Sequence, residues 1–331
     1  MNGPVLVTGG SGYVGGAIVR RLVADGVEVR ALARSGRAEE IVRGLGGRPI
    51  PGDLLDPGSL AAAARGCGLV FHAAGANAMC VRDPTALYRT NVTGTELLVR
   101  AAADQGVTRL VVTSSAASIG EEAGTVGSET SAHRGSFLSR YERSKWLAER
   151  RAMENCGDHL EIVVVNPASV QGPGRTHGTA RLLAAAADGR LPAVVDTFVS
   201  LIDVADCTDG HVRAATQGRP GERYLLSGTS ITSRELVDYI ARMTGHRRPI
   251  VLPRRIVPWI GAMVGGAGEL IRRDPPFCLE LARTLLHGHR YDGSKAERDL
   301  GLRYTPLHET LRRTIAWLGG RRDEHAPAPK M

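Results

Sequence analysis

The chain has 331 residues, 43% of them hydrophobic, and a formal net charge of +8. That length fits one large domain with a smaller companion, and no apolar run reaches the length of a membrane span. The basic residues are nearly all arginines (Lys145, Lys295 and Lys330 are the only lysines) and they are dispersed, which argues against a nucleic-acid face.

The chain begins with a strand at Val5–Thr8 that runs straight into Gly9-Gly10-Ser11-Gly12-Tyr13-Val14-Gly15-Gly16 and then into an apolar helical run. Because Val5 to Val7 run straight into the glycine turn, this start is not expected to act as a signal segment. In a strand–turn–helix of this kind Gly9 allows the tight turn, Gly12 lets the backbone approach a pyrophosphate, and Gly15 lets the helix pack on the strand. The helix N-terminus then offers free N–H groups to the anion. Gly9, Ser11, Gly12, Tyr13, Val14 and Gly15 are therefore expected at a dinucleotide.

Strands are expected at Val27–Ala33, Arg48–Pro51, Leu69–Ala73, Arg109–Ser114 and Glu161–Val165. Helices are expected between them, at Gly15–Ala24, Arg37–Leu45, Asp56–Ala64, Ala86–Gln105 and Tyr141–Cys156. This alternation predicts an α/β fold, a doubly wound parallel sheet of the Rossmann type. Residues 1–170 form the dinucleotide-binding domain, and 196–230 return to it with strands at Val199–Asp203 and Arg223–Ser227. A smaller C-terminal substrate-binding domain takes 171–195 and 231–318. It holds a helix from Thr232 with capping-box spacing to Glu235, an apolar stretch from Ile256 to Ile271, and a helix over Thr305–Leu318. The polar, proline-bearing tail 319–331 is expected to be disordered. Cys67, Cys80, Cys156, Cys207 and Cys278 show no metal-type pairing, so a reduced, cytoplasmic protein without a metal ligand set is expected.

Tyr141-Glu142-Arg143-Ser144-Lys145 places a phenol and an ammonium on one face of a helix start. By composition such a spacing arises by chance only about 0.06 times in this chain. The cation is expected to lower the Tyr141 pKa, and an acid/base working near neutral pH needs about three units of such lowering. Tyr291 and Lys295 share the spacing, but Asp292 and Gly293 break the helix between them and Ser294 reads as the next N-cap. Upstream, Leu110 to Ser115 is a strand ending in hydroxyls, and Ser115 is placed to orient a substrate carbonyl.

These motifs, together with Gly52-Asp53-Leu54, His72-Ala73-Ala74-Gly75, Asn91-Val92-Thr93-Gly94-Thr95 and Asn166-Pro167, occur in the order of a known family. The chain resembles the extended, epimerase-like branch of the short-chain dehydrogenase/reductase superfamily, the NAD-dependent epimerase/dehydratase family. The similarity runs from residue 4 to about 318. Within that branch it is similar to dihydroflavonol-reductase-like and hopanoid-associated sugar epimerase-like proteins, and more loosely to 3β-hydroxysteroid dehydrogenases. The resemblance implies a catalytic triad of Ser115, Tyr141 and Lys145. It puts Asp53 and Leu54 at the adenine, Ala73, Ala74, Gly75, Ser114, Tyr141 and Lys145 along the cofactor, and Pro167, Ala168 and Ser169 beside the nicotinamide. It leaves Asn91 as a tie between helix and strand. Ser200 and Ile202 depart from the branch's usual histidine and aspartate. A homodimer through Ala86–Gln105 and Tyr141–Cys156 is a family-level expectation.

The second strand ends Ala33-Arg34 with no acid before Glu39. An arginine there accommodates a 2′-phosphate, so NADPH is expected over NADH. The branch's dehydratases carry an Asp-Glu pair where this chain has Ala116 and Ala117, which removes dehydration. The expected activity is an NADPH-dependent carbonyl reductase acting on a small or polycyclic ketone, with Tyr141 as proton donor. A sugar-nucleotide epimerase and a non-catalytic NADP-binding protein are the alternatives.

Overall fold

Short β-branched runs make the centre of the molecule. The computed structural model describes residues 3–157, 159–176, 178–270, 274–275 and 277–323. Twelve strands follow in chain order among them: β1 (Val5–Thr8), β2 (Val29–Ala33), β3 (Arg48–Pro51), β4 (Leu69–His72), β5 (Arg109–Thr113), β6 (Glu161–Pro167), β7 (Ser169–Gln171), β8 (Ala193–Val195), β9 (Phe198–Asp203), β10 (Arg223–Leu226), β11 (Thr229–Thr232) and β12 (Ile250–Leu252). Seven of them form one parallel sheet in the order β10-β6-β5-β4-β1-β2-β3. The chain runs outward from β1 in one direction and from β4 in the other. The crevice at their C-terminal ends, where Thr8 pairs with His72, is thus the topological switch point at which such sheets bind ligands.

Alternation along β1 shows why both faces are covered. Val5 and Val7 point into a layer with Ile18, Val19 and Leu22 of the helix Tyr13–Ala24, while Leu6 points into the opposite layer with Leu98 and Val99. Each such side chain contributes about 1.5–3 kcal/mol on burial. A second sheet, β11-β9-β7, and the pair β12-β8 lie outside the main sheet. Within 196–230, β10 lies at the edge of the main sheet and β9 in the middle of the second sheet.

The expected strands and helices recur with ends shifted by a few residues, and several local expectations need correction. Ala86–Gln105 is not one helix: Thr85–Tyr88 leads into a π-helical turn at Arg89–Thr93 before Gly94–Asp104 continues. That wide turn carries Asn91 into the interior. Ser294 does not cap its helix, which starts there with Gly293 as N-cap. The last helix runs Leu307–Asp323, so 319–323 is helical, and the remaining tail expected to be disordered lies outside the described residues. Not all the cysteines are reduced. Cys80 and Cys278 are joined, 198 positions apart, while Cys67, Cys156 and Cys207 are free. A pairing across that distance leaves no trace in sequence spacing. The apolar stretch forms the helix Val257–Leu270, which packs Gly261 against Ala282 and turns Trp259 and Met263 outward at 73% and 74% exposure.

Two buried histidines set an acid limit on this fold. Burial pushes His72 down to about 3 and His211 down to about 4, against an ordinary 6.5. The unfolded chain therefore binds more protons below pH 6.5, so stability is fully present above that pH and falls as the pH drops toward 4. Each histidine accounts for about 3 kcal/mol of the loss by pH 4. Urea unfolding midpoints between pH 7 and 4 should fall, and His211→Asn should make the fall shallower. Equal slopes in the two proteins would refute this assignment.

Candidate active site

The glycine turn has the geometry that its sequence requires. Gly9 has φ +72, and a Cβ there would lie 2.6 Å from the Ala74 nitrogen and 2.7 Å from the Ala73 carbonyl carbon. A Cβ on Gly15 would lie 2.2 Å from the Gly9 oxygen, so only glycine lets the helix sit this close. The helix Tyr13–Ala24 begins after Gly12 with no side-chain cap, which leaves its first-turn N–H groups for an anion. Turn and uncapped helix end together fit a dinucleotide pyrophosphate.

A chain of hydrogen bonds ties this turn to the catalytic helix. Thr8 Oγ1 and His72 Nδ1 are 2.7 Å apart, and His72 Nε2 and Thr95 Oγ1 are 2.8 Å apart. The Thr95 hydroxyl donates to the Asn91 carbonyl at 2.6 Å, so it accepts from His72, and a neutral imidazole satisfies every member. Asn91 then exchanges two hydrogen bonds with the Ala76 backbone, at 2.7 and 3.0 Å, and donates to Ser144 Oγ at 2.8 Å. Ser144 in turn donates to the Tyr141 carbonyl. Asn91 thus ties the loop after β4 to the helix Arg140–Met153.

That helix starts where its residues dictate. Ser139 caps it by accepting from the Glu142 N–H, and Glu142 reaches back to the Leu138 N–H at 2.7 Å. Arg134 pairs with the buried Glu142 carboxylate. Tyr141 follows in the first turn, and its phenol is hydrogen-bonded to Ser115. The Lys145 ammonium donates to the Thr113 carbonyl at 2.7 Å and lies 3.6 Å from where a Cβ on Gly75 would sit. Ser115, Tyr141, Lys145 and the Gly75 backbone are therefore brought together at the ends of β4 and β5.

The expected electrostatics of this group are corrected. The Tyr141 phenol stands above the ordinary tyrosine value, because burial raises it more than the Ser115 hydrogen bond and the Arg175 charge lower it. Lys145 is itself pushed down to about 8 by burial, with Glu149 opposing. The side chains alone hold the phenol protonated instead of lowering it.

Other expected residues divide. Ser114 does not direct its hydroxyl to the cleft: it donates to Glu149 Oε2 at 2.6 Å and is buried. Ser118 and Asn166 share that oxygen, and Arg223 pairs with the other. The Asp53 carboxylate accepts from the Leu55 N–H, Leu54 packs against Gly94, and Ser169 bonds Thr179 and Gln171. Arg34 is exposed at the end of β2 and makes no ion pair among the described residues. Lys295 bonds Glu222 and the Arg223 carbonyl, away from Tyr291, as the broken spacing implies. Two residues were missed. Glu149 organises the floor beneath Ser115, and Arg175 brings a largely desolvated charge near the Tyr13 and Tyr141 phenols. The Gly172-Pro173-Gly174 turn just before Arg175 was its only signal.

The profile of the NAD dependent epimerase/dehydratase family matches residues 5–227. The chain belongs to that family. A Synechocystis sp. protein provisionally named dihydroflavonol 4-reductase is 31% identical, with 94% of this chain and 93% of that one covered. A 2-alkyl-3-oxoalkanoate reductase of Stenotrophomonas maltophilia is 31% identical, with 94% and 98% covered. The crystal structure of gox2253 superposes with a TM-score of 0.84 at 28% identity, over 97% of this chain and 99% of that one. As a member of this epimerase/dehydratase family the protein is an NAD(P)-dependent oxidoreductase. No helix among the described residues is long and apolar enough to cross a membrane.

Proposed function

We propose that the protein is an NADPH-dependent keto reductase in which Tyr141 protonates the substrate oxygen. The observation that carries this reading is the half-buried Ser115–Tyr141 pair, with its phenol held above the ordinary tyrosine value. Reduction starts from a protonated donor, and this phenol stays protonated through neutral pH. Nicotinamide, when bound, supplies the hydride. Ser115 orients the ketone oxygen toward the Tyr141 hydroxyl. Lys145, fixed by the Thr113 carbonyl, holds the ribose and places positive charge beside the developing phenolate. Gly9 to Gly15 seats the pyrophosphate and Asp53 and Leu54 the adenine. Reductase-named relatives favour this direction, while the family's description keeps a sugar-nucleotide epimerase as the second reading.

The exposed Arg34, with no acid beside it, supports NADPH over NADH. Arg34→Ala should weaken NADPH binding about tenfold, the loss of about 1.4 kcal/mol of phosphate contact, and leave NADH unchanged. Fluorescence titration with both cofactors checks this, and tighter NADH binding by the wild type would sink the assignment. The reaction itself is tested by presenting ketones and sugar nucleotides with each cofactor. Loss of reduced nicotinamide with a ketone supports the reductase. Conversion of a sugar nucleotide without net change in nicotinamide absorbance supports the epimerase.

A further inference from the structure

A second cluster of chemically capable side chains lies outside the triad. Glu121 follows the short helix Ala116–Ile119, and His287 and His289 come from the far end of the chain. One donor atom from each lies within 4.8 Å of the others. Glu121 Oε1 is 2.6 Å from His289 Nδ1 and 3.4 Å from His287 Nε2. The Glu121 and His287 side chains are 1% and 5% exposed. Glu121 Oε2 and His287 Nε2 are buried with no hydrogen-bond partner among the described residues. Such orphaned atoms cost about 1–3 kcal/mol each, and more for a charged group.

The neighbours do not meet this need. Arg134 donates to the Glu121 main-chain carbonyl, while its charge is matched by Glu142. The Tyr291 hydroxyl is 3.0 Å from His289 Nδ1, the atom that already faces Glu121. A single cation among the three side chains would engage His287 Nε2 and the Glu121 carboxylate together. Metal–donor bonds of about 2.1 Å in a tetrahedron set neighbouring donors about 3.4 Å apart, the separation seen between Glu121 Oε1 and His287 Nε2. The His289–Glu121 hydrogen bond opens slightly to complete it.

We propose that Glu121, His287 and His289 bind a divalent transition-metal ion, zinc by the chemistry of the donors. Two imidazoles and one carboxylate form a borderline set that disfavours calcium and magnesium. Three protein ligands leave a fourth position for water or the Tyr291 oxygen. The ion fastens the segment that follows Ser115 to the segment 287–291, where the Gly127 N–H already bonds the Arg290 carbonyl and the Asp292 N–H the Gly127 carbonyl.

The full-length protein is stripped with a chelator and titrated with cobalt(II), then zinc. One equivalent of cobalt should bind with the visible bands of a low-coordinate nitrogen–oxygen site and no thiolate charge-transfer band, and zinc should displace it. Glu121→Gln keeps the size of the side chain and His289→Ala removes a ring. Each should weaken binding at least about 100-fold, at or beyond the top of the 10- to 100-fold range for outer-shell changes. His308→Ala, at an exposed position, should bind as the wild type does. Absence of saturable cobalt binding, or binding that survives both substitutions, overturns the site. Should a variant fail to fold, the anomalous difference map of zinc-soaked wild-type crystals decides: a peak among the three side chains supports the site, and no peak there refutes it.

Discussion

Tyr141→Phe should lower kcat by about 100- to 10,000-fold, the range contributed by one positioned proton donor. It should leave cofactor affinity within about twofold, since no cofactor contact is assigned to the phenolic oxygen alone. The change removes a single oxygen and leaves intact the helix cap at Ser139, the Glu142–Arg134 pair and the Asn91–Ser144 tie. Stopped-flow oxidation of the reduced nicotinamide, beside a binding titration, separates the two quantities. Retention of more than about a tenth of wild-type turnover would remove Tyr141 from its role.

The second large effect concerns the turn. Gly9→Ala should destabilise the protein by about 1–3 kcal/mol and weaken cofactor binding at least tenfold, about 1.4 kcal/mol. Two terms act together. The residue sits at φ +72, and its new methyl would press on the Ala73–Ala74 backbone, which cannot swing aside as a side chain can. Gly26 separates them: it has φ +77, but a Cβ there meets nothing within 4 Å. Gly26→Ala should therefore show strain without loss of affinity. Thermal melts and cofactor titrations of both variants test this, and equal loss of affinity in the two would show that close approach at Gly9 is not what matters.

The parts of the molecule that were legible in sequence are those whose signals are local. The apolar run of β1 entering Gly9 to Gly15 carries strand, turn and helix in about twenty residues, and each glycine has a distinct steric reason to be there. Tyr141 and Lys145 were legible because helical spacing places them on one face, and the cap at Ser139 lies in the same stretch. Strands β7, β8, β11 and β12 are three or four residues long, too short to show a period. The π-helical turn at Arg89–Thr93 arises where Asn91 is drawn toward Ala76, a contact across fifteen positions. Glu149 reads as an ordinary charged position on a helix, yet the fold surrounds it with Ser114, Ser118, Asn166 and Arg223. The Tyr141 pKa moved opposite to expectation because helical spacing carries no sign of the burial, which here outweighs the Ser115 hydrogen bond and the Arg175 charge. Glu121 and the histidines 287 and 289 are more than 160 positions apart, so only the folded chain brings them together.

The central claim is that a hydride passes from the nicotinamide to a substrate ketone at the Ser115–Tyr141 pair. It is tested most directly with NADPH deuterated at the hydride position of the nicotinamide C4, in a single turnover followed by mass spectrometry of the product. A keto reductase yields an alcohol that carries one deuterium on the new carbinol carbon, matched by one oxidised cofactor, and Tyr141→Phe yields almost none. An isomerised product with the cofactor still reduced, or an alcohol without deuterium, would contradict it.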